Sequence, residues 1–227
     1  MFSTTAIVII TLIIIYPLLK HMYHKYIKTQ RDYDVYVINM RKDKKRYKKI
    51  TKELNKYNVK FRKIEGIDGS KQNINLLKNK KLIDHNADDS LSLPKVGCSW
   101  SHKKTWIDAY NNKDSYNDII VIEDNVKLNH KFKDKLNKIA YELRGIQYDI
   151  CYLGRKPLSE DYKSREKNLS KHVTTASKSE GTYGYIINRD SLPRLLGEFK
   201  TLDHKPDELW NNGKFKVVAS NVDLVNK

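Results

Sequence analysis

Cysteine is scarce in this chain of 227 residues, which contains only Cys98 and Cys151. The two show no paired spacing, so the sequence indicates neither a disulfide framework nor a cysteine zinc site. Neither thiol stands beside a histidine in a recognised nucleophile pattern, and both lie among apolar residues. We therefore expect both cysteines to be buried packing residues.

Glycine-rich motifs and nucleic-acid motifs are also missing. Gly181 and Gly184 are too sparse for a phosphate-binding loop and are more typical of a turn or of close packing. The chain has no internal repeat, no low-complexity segment, and no helix-turn-helix, zinc-finger or aromatic RNA-binding motif. These absences argue against a nucleic-acid partner.

Acidic residues are outnumbered, with 27 Asp and Glu against 44 Lys and Arg, which gives a formal net charge of +17. A basic surface favours anionic partners such as nucleotide diphosphates, membrane surfaces or nucleic acid. The abundance of Lys, Asn, Ile and Tyr together also fits an A/T-biased coding sequence, so the charge has an alternative origin. The length suits one α/β domain with a sizeable core.

An uncharged aliphatic run occupies the amino terminus, between Phe2 and Leu19. It is just long enough to cross the hydrocarbon core of a bilayer as a helix. We expect a single-pass membrane anchor over residues 1–20 and a basic stem over residues 21–33. A cleaved signal peptide is the alternative, but there is no basic n-region and Pro17 stands near the required cleavage site. Basic residues follow the span, which favours a cytosolic domain without deciding the side of the membrane.

Strand and helix patterns begin to alternate at residue 34. DVYVINM predicts a buried strand, and the next segment predicts a helix with Tyr47, Ile50, Leu54 and Tyr57 on one face. VKFRKIEGIDG indicates a second strand, and residues 71–95 a long surface loop. Ser99 or Ser101 then caps a helix that carries the following residues on one face: His102, Trp106 and Tyr110. We expect Trp106 and Tyr110 to be core residues.

The second half of the chain continues the alternation. NDIIVIEDN predicts a strand, followed by an amphipathic helix and by the strand YDICYLG, which implies a right-handed parallel crossover. GTYGYIINRDSLPRLLGEF adds a strand and a helix with Pro193 in its first turn, and KFKVVAS an edge strand. We predict an α/β domain over residues 34–227, with a mostly parallel sheet and flanking helices.

Glu123, Asp124 and Asn125 follow the clearest buried strand. Ligands of such sheets bind outside the carboxyl ends of the strands, where these side chains would lie. Mg²⁺ and Mn²⁺ prefer oxygen ligands, and a bound cation would neutralise the phosphates of a substrate. The alternative is that these acidic residues follow the strand only because the chain reaches solvent there.

Several motifs occur in an order that resembles glycosyltransferase family 25, which includes bacterial lipooligosaccharide galactosyltransferases and collagen galactosyltransferases. The resemblance spans about residues 34–210. It implies a nucleotide-diphospho-sugar transferase fold of the GT-A type, a UDP-sugar donor, dependence on Mn²⁺ or Mg²⁺, and transfer with inversion. The motifs that carry it are VYVINMRKDKKRYKKI, FRKIEGIDG, VGCSWSHKKTWIDA, VIEDNVKL, YDICYLGR, GTYGYIINRDSLPRLL and PDELW.

The resemblance also implies roles for single residues. Asn39 and Arg41 correspond to nucleotide-side residues, with Arg46 a weaker candidate. The G-C-x-x-S-H stretch is similar to one at the family's donor cleft, which implies donor contacts for this set: Gly97, Ser101 and His102.

The acidic motif E-D-D of the family reads Glu123, Asp124, Asn125 here. By the resemblance, Glu123 is assigned to the donor side, and Asp124 and Asn125 to the metal. An amide oxygen is a neutral and weaker ligand than a carboxylate. Three alternatives therefore stay open: Asp124 carries the metal, the metal affinity falls, or the activity is altered.

Asp207 and Glu208, in the stretch KPDELW, resemble the family's late acid. Inversion needs a base that takes the proton of the acceptor hydroxyl, and a positioned carboxylate can do so. Asp207 is the first candidate and Glu208 the second. An alternative role is that of acids favoured at the start of a helix after Pro206.

The sequence thus predicts a membrane-anchored glycosyltransferase that moves a hexose, with galactose the leading candidate, to a hydroxyl of a glycan, lipid-linked or protein acceptor. Two alternatives belong to other classes. A catalytically impaired relative that binds glycans or a partner protein is favoured by Asn125. A basic nucleic-acid-binding module is favoured by the net charge alone.

Overall fold

The computed structural model describes residues 33–87, 91–112, 115 and 117–227. The predicted anchor, residues 1–20, and all but the last residue of the predicted stem lie outside these ranges. Within them, every helix is too short or too polar to cross a bilayer.

A seven-stranded sheet with the order β2-β1-β3-β9-β5-β10-β7 forms the centre of the described part. The pairs β1–β2, β1–β3 and β5–β10 are parallel, and the pairs β3–β9, β5–β9 and β7–β10 are antiparallel. All its strands except β7 and β9 therefore run in one direction. The main-sheet strands are β1 (Asp34–Asn39), β2 (Arg62–Glu65), β3 (Ile119–Glu123), β5 (Ile150–Tyr152), β7 (Val173–Thr175), β9 (Gly184–Ile187) and β10 (Val217–Ser220).

Helices and two short strand pairs complete the described part. β4 (Lys127–Leu128) pairs with β11 (Val225–Asn226), and β6 (Lys156–Pro157) with β8 (Ser179–Glu180). The helices are α1 (Lys44–Lys56), α2 (Ile74–Asn79), α3 (Leu93–Asn111), α4 (Phe132–Leu143), α5 (Glu160–Ser164), α6 (Leu192–Glu198) and α7 (Pro206–Trp210).

Strand residues alternate between two hydrophobic clusters, because successive side chains point to opposite faces of a sheet. Tyr36 packs with α3, α6 and α7, whose buried residues include Trp106 and Trp210. Val37 packs instead with α1 and α4, through Ile50 among others. Burying each large apolar side chain contributes roughly 1.5–3 kcal/mol. This mixed α/β arrangement, with a mostly parallel central sheet, fits the expected GT-A-type fold.

The start of α3 differs from the prediction. The helix begins at Leu93, after Ser92, with Pro94 in its first turn, so the prediction that Ser99 or Ser101 caps it is wrong. Inside the helix the Ser101 hydroxyl donates to the Gly97 carbonyl at 2.7 Å. Pro94 fixes the earlier start, since its ring suits a first turn and its missing N–H costs nothing there.

Three further predictions need correction. Residues 71–95 are not one irregular loop, because α2 forms there and Asn73 caps it by accepting from the Leu76 amide at 3.1 Å. The strand β10 is not at the edge: β7 pairs with it on the outer side. Trp106 is fully buried as its spacing indicates, whereas Tyr110, one turn later on α3, is 40 % exposed.

Candidate active site

A cleft of about 850 Å³ opens at the carboxyl end of the parallel strands β1 and β3. Side chains from α3, from the β3 terminus, from residues 180–183 and from the α7 region line it. Among the residues that sequence reasoning selected, the following line this cleft: Arg46, Ser101, His102, Glu123, Asp124, Asn125 and Asp207. The fold thus brings together residues that are far apart in the chain.

The acidic stretch lies where the sequence predicts it, at the carboxyl end of β3. Glu123 is the last residue of the strand, and the Asp124 amide donates to the Ile38 carbonyl of β1 at 3.1 Å. This bond fixes the chain as it leaves the sheet. Asn125 follows as an exposed residue on the cleft wall.

Asn39, at the end of β1, holds the Asp124 carboxylate. Its amide nitrogen donates to Asp124 Oδ2 at 2.6 Å, and both side chains are buried. Burial raises the pKa of Asp124, and the Asn39 hydrogen bond offsets only part of that rise. A bound cation would reverse the penalty, so this carboxylate together with the Asn125 amide suits a hard divalent ion. Asn39 itself orients the acid from behind the cleft wall.

The Glu123 carboxylate lies among donors. Its Oε2 accepts from Lys227 at 3.0 Å, and its Oε1 accepts from the Thr182 hydroxyl at 3.2 Å and lies 3.7 Å from His102 Nε2. Burial alone would raise the pKa of Glu123, but His102 and Lys227 outweigh burial and lower the pKa to about 2. Glu123 is therefore ionised at neutral pH.

His102 is buried in α3 and is held on both sides of its ring. Its Nδ1 lies 2.7 Å from the Tyr185 hydroxyl, which also accepts from Trp106 Nε1 at 3.0 Å. Burial alone would lower the pKa of His102, but Tyr185, Cys98 and Glu123 around the ring raise it well above its usual value. The Tyr185 contact leaves Nε2 as the ring atom that faces Glu123.

Cys98 is a cleft residue that sequence reasoning missed. It is partly exposed and lines the cleft, so its prediction as a buried packing residue is wrong; Cys151 is buried as expected. Cys98 Sγ, a His102 ring nitrogen and a Glu123 oxygen all lie within 4.8 Å of one another. The spacing of four residues between Cys98 and His102, which puts them on one helix face, was the available signal.

The structure separates Asp207 from Glu208. Asp207 is buried; the Gly181 amide donates to its Oδ2 at 3.1 Å, and its buried Oδ1 has no hydrogen-bond partner among the described residues. Burial raises the pKa of Asp207, against the opposing Gly181 bond. Glu208 is partly exposed outside the cleft lining, 2.9 Å from Lys95, and accepts from the Lys205 amide at the start of α7.

The remaining predicted residues lie off the cleft wall. Arg41 is exposed and lines a smaller neighbouring pocket. Gly97 packs against the backbone of residues 67–69 beneath the cleft. Arg46, the weaker nucleotide-side candidate, does line the cleft. Four further cations line it as well, and the composition alone could not select them from the many basic residues: Lys42, Lys156, Lys205 and Lys227.

Comparison with known proteins identifies a family. The model of the family described as glycosyltransferase family 25 (LPS biosynthesis protein) matches residues 32–210 of this chain. Among curated proteins, "Procollagen galactosyltransferase 2" from Homo sapiens is 26% identical over 172 residues. A "Glycosyltransferase 25 family member" from Drosophila melanogaster is 24% identical over 203 residues. "Probable inactive glycosyltransferase 25 family member 3" from Bos taurus is 23% identical over 171 residues.

These alignments cover most of this chain but only part of each relative. They include 72%, 82% and 72% of this chain, in the order given above, and 27%, 30% and 28% of the relatives. The chain therefore spans less than a third of the length of the curated relatives that it matches.

Proposed function

The chain belongs to glycosyltransferase family 25, and from this we propose that it transfers a hexose from a UDP-sugar to an acceptor hydroxyl with inversion at the sugar carbon. The observation that carries the proposal is the shared cleft. Ionised Glu123 and the buried carboxyl groups of Asp124 and Asp207 all line it. A basic surface in the same cleft suits a diphosphate.

The donor diphosphate would lie against the cations of the cleft. Lys42, Arg46 and Lys205 line it beside the acids of the β3 terminus. Positive groups that are already in place stabilise the charge that develops on a departing nucleoside diphosphate. Ser101 supports this wall by accepting from the Ile67 amide at 2.8 Å.

Asp124, with the amide oxygen of Asn125, would hold a divalent cation of the Mn²⁺ or Mg²⁺ class. Such an ion would supply neutralisation of the leaving diphosphate. The hydrogen bond from Asn39 holds the Asp124 carboxylate in place at the end of β3. With only one carboxylate, this ligand set favours weak binding of the ion.

Asp207 is the proposed general base. Its Oδ1, which has no hydrogen-bond partner in the described part of the chain, would accept the proton of the acceptor hydroxyl. At the same time the acceptor oxygen forms its bond to the anomeric carbon, and the bond from that carbon to the UDP oxygen breaks. The raised pKa of Asp207 increases its strength as a base. Gly181 fixes the carboxylate through Oδ2 and leaves Oδ1 for the acceptor.

Galactose is the proposed sugar, because two of the relatives are named procollagen galactosyltransferase 2. The proposed acceptor is a hydroxyl of a glycan, a lipid-linked saccharide or a protein. We also place the catalytic domain at a membrane, held by residues 1–20, on the basis of their uncharged aliphatic composition. Removing residues 1–20 should move the protein from the membrane fraction to the soluble fraction.

Asn125 favours a second candidate, a family member that binds donor or glycan without efficient turnover. An amide replaces the last acid of the motif, and a relative with 23% identity is named as probably inactive. In this case the cleft would bind UDP but release no sugar.

The experiment that tests the proposal uses the full chain purified in detergent and a panel of UDP-sugars, with Mn²⁺ or with a chelator. Hydrolysis of UDP-galactose to free galactose, or its transfer to an acceptor, should require the metal. UDP binding without turnover of any sugar would favour the second candidate. The absence of both UDP binding and turnover would refute the transferase and the donor-binding form of the second candidate.

A further inference from the structure

We propose that Cys98, His102 and Glu123 form a binding site for a thiophilic divalent metal of the Zn²⁺ class, separate from the site at Asp124. Among the described residues, these three supply the one group of His, Cys and acidic ligand atoms close enough to hold an ion, all within 4.8 Å.

The backbone places the three ligands. Cys98 and His102 are four residues apart on α3, so their side chains lie on the same face of the helix. Glu123 ends β3 and turns its Oε1 to within 3.7 Å of His102 Nε2. Lys227 donates to the other oxygen, Oε2, at 3.0 Å. Oε1 accepts from the Thr182 hydroxyl at 3.2 Å, and its second lone pair is left for an ion.

The surroundings of His102 match those of a metal ligand. A histidine that ligates through one ring nitrogen usually holds a partner on the other, which fixes the ring and its tautomer. Here Nδ1 contacts the Tyr185 hydroxyl at 2.7 Å, and Trp106 donates to the same oxygen at 3.0 Å. The Tyr185 contact thus occupies Nδ1, and Nε2 is left for an ion.

The ligand types select the metal. One thiolate, one imidazole and one carboxylate suit Zn²⁺ better than Mn²⁺ or Mg²⁺, which prefer all-oxygen sites. Asp124 belongs to a different set, because its Oδ2 is bonded to Asn39. Cys98 is partly exposed on the cleft wall, so water or a phosphate oxygen would reach a bound ion from the cleft as its fourth ligand.

Ion binding displaces protons. The Cys98 thiol proton is released to solvent as the metal–sulfur bond forms, and any proton on His102 Nε2 leaves as that nitrogen binds. The Glu123 carboxylate needs no change, since it is ionised already.

Cobalt substitution tests the site, with the full chain in detergent under reducing conditions. One equivalent of Co²⁺ should produce sulfur-to-cobalt charge-transfer absorption, and Zn²⁺ should abolish it at concentrations at least about tenfold lower than Mn²⁺. Cys98→Ser should eliminate the absorption. Cys151→Ser is the matched control, because Cys151 is the other cysteine of the chain and is buried in the hydrophobic cluster that contains Val37. The Cys151→Ser variant should retain the absorption.

A second readout is chemical protection. Zn²⁺ should slow alkylation of Cys98 by iodoacetamide at least about tenfold, because a metal-bound thiolate is less available as a nucleophile. Mass spectrometry of the Cys98 peptide follows the reaction. The proposal is overturned if Co²⁺ gives no charge-transfer absorption, if Cys98→Ser retains it, or if Zn²⁺ leaves alkylation unchanged. None of these readouts uses transferase activity, so a negative result leaves the proposed function standing.

Discussion

Gly97 of α3 lies directly against the backbone of Gly69. A Cβ atom built on Gly97 would lie 2.5 Å from the Gly69 nitrogen and 2.7 Å from its Cα. Real side chains do not approach backbone so closely, and backbone cannot yield as a flexible side chain does. The segment that holds Gly69 also contributes Ile67 and Asp68 to the cleft lining, so this contact sets one wall of the site.

Gly97→Ala should therefore destabilise the protein by about 1–3 kcal/mol and weaken UDP binding, because α3 and the cleft wall must separate. Urea unfolding and UDP titration measure the two effects. Gly197→Ala is the matched control: no atom of the described residues lies within 4 Å of a Cβ added to this exposed helical glycine, so the change should be neutral or stabilising by about 0.5–1 kcal/mol. An equally stable Gly97→Ala variant would contradict the packing role.

Asp207→Asn should lower transfer from UDP-galactose by about 10²–10⁴-fold, because the amide cannot take the acceptor proton. UDP affinity should change little, since it depends on other residues of the cleft. In the wild type, activity should fall as the pH drops through the raised pKa of Asp207, because protonation removes the base. Initial rates across a pH series measure both effects.

Glu208→Gln separates the two late acids. Its carboxylate contacts Lys95 and the Lys205 amide outside the cleft lining, so we expect most turnover to remain. The Gln side-chain oxygen still accepts from the Lys205 amide, so stability should fall by at most about 1 kcal/mol, through loss of the ion pair with Lys95. A loss of turnover as large as that of Asp207→Asn would indicate that Glu208 acts as the general base.

Asn125→Asp should strengthen metal binding, because a second carboxylate replaces a neutral amide on the cleft wall. We expect the Mn²⁺ concentration for half-maximal activity to fall on the order of tenfold, as ligand charge sets the affinity of oxygen sites. Asn79→Asp adds the same charge to an exposed position in α2 and should leave the Mn²⁺ dependence unchanged. An unchanged requirement in Asn125→Asp would argue against metal ligation at this position.

Glu123 should make stability depend on acid pH. Its pKa is lowered from 4.5 to about 2, so its contribution is fully present above about pH 4.5 and is lost as the pH falls toward 2. Glu123→Gln should cost on the order of 3 kcal/mol at pH 7 and much less at pH 2. Urea unfolding from pH 2 to pH 7 measures the difference.

The control for this series is Glu198→Gln. Its ion pair with Lys214 is largely exposed to solvent, and such pairs contribute little to stability. Its unfolding curves should stay close to those of the wild type at each pH. A constant difference between wild type and Glu123→Gln across the series would contradict the proposed ion pair with His102 and Lys227.

The sequence determined the elements whose pattern is local. The alternation of strands and helices, the apolar faces of α1 and α4, and the position of the acidic stretch at the end of β3 all follow from periodicity and from the β-branched run before Glu123. The ordered motifs identified the family in the same way, because they require no knowledge of contacts.

The tertiary structure decided which of these residues meet. Asp207 and Glu208 are adjacent and chemically alike, yet only Asp207 lines the cleft, because the short helix α7 buries one and exposes the other. The packing of the fold brings Glu123, at the end of β3, next to Cys98 and His102 of α3. Burial and the approach of charges across distant segments set these relationships, and neither quantity is encoded in the local pattern of a single segment.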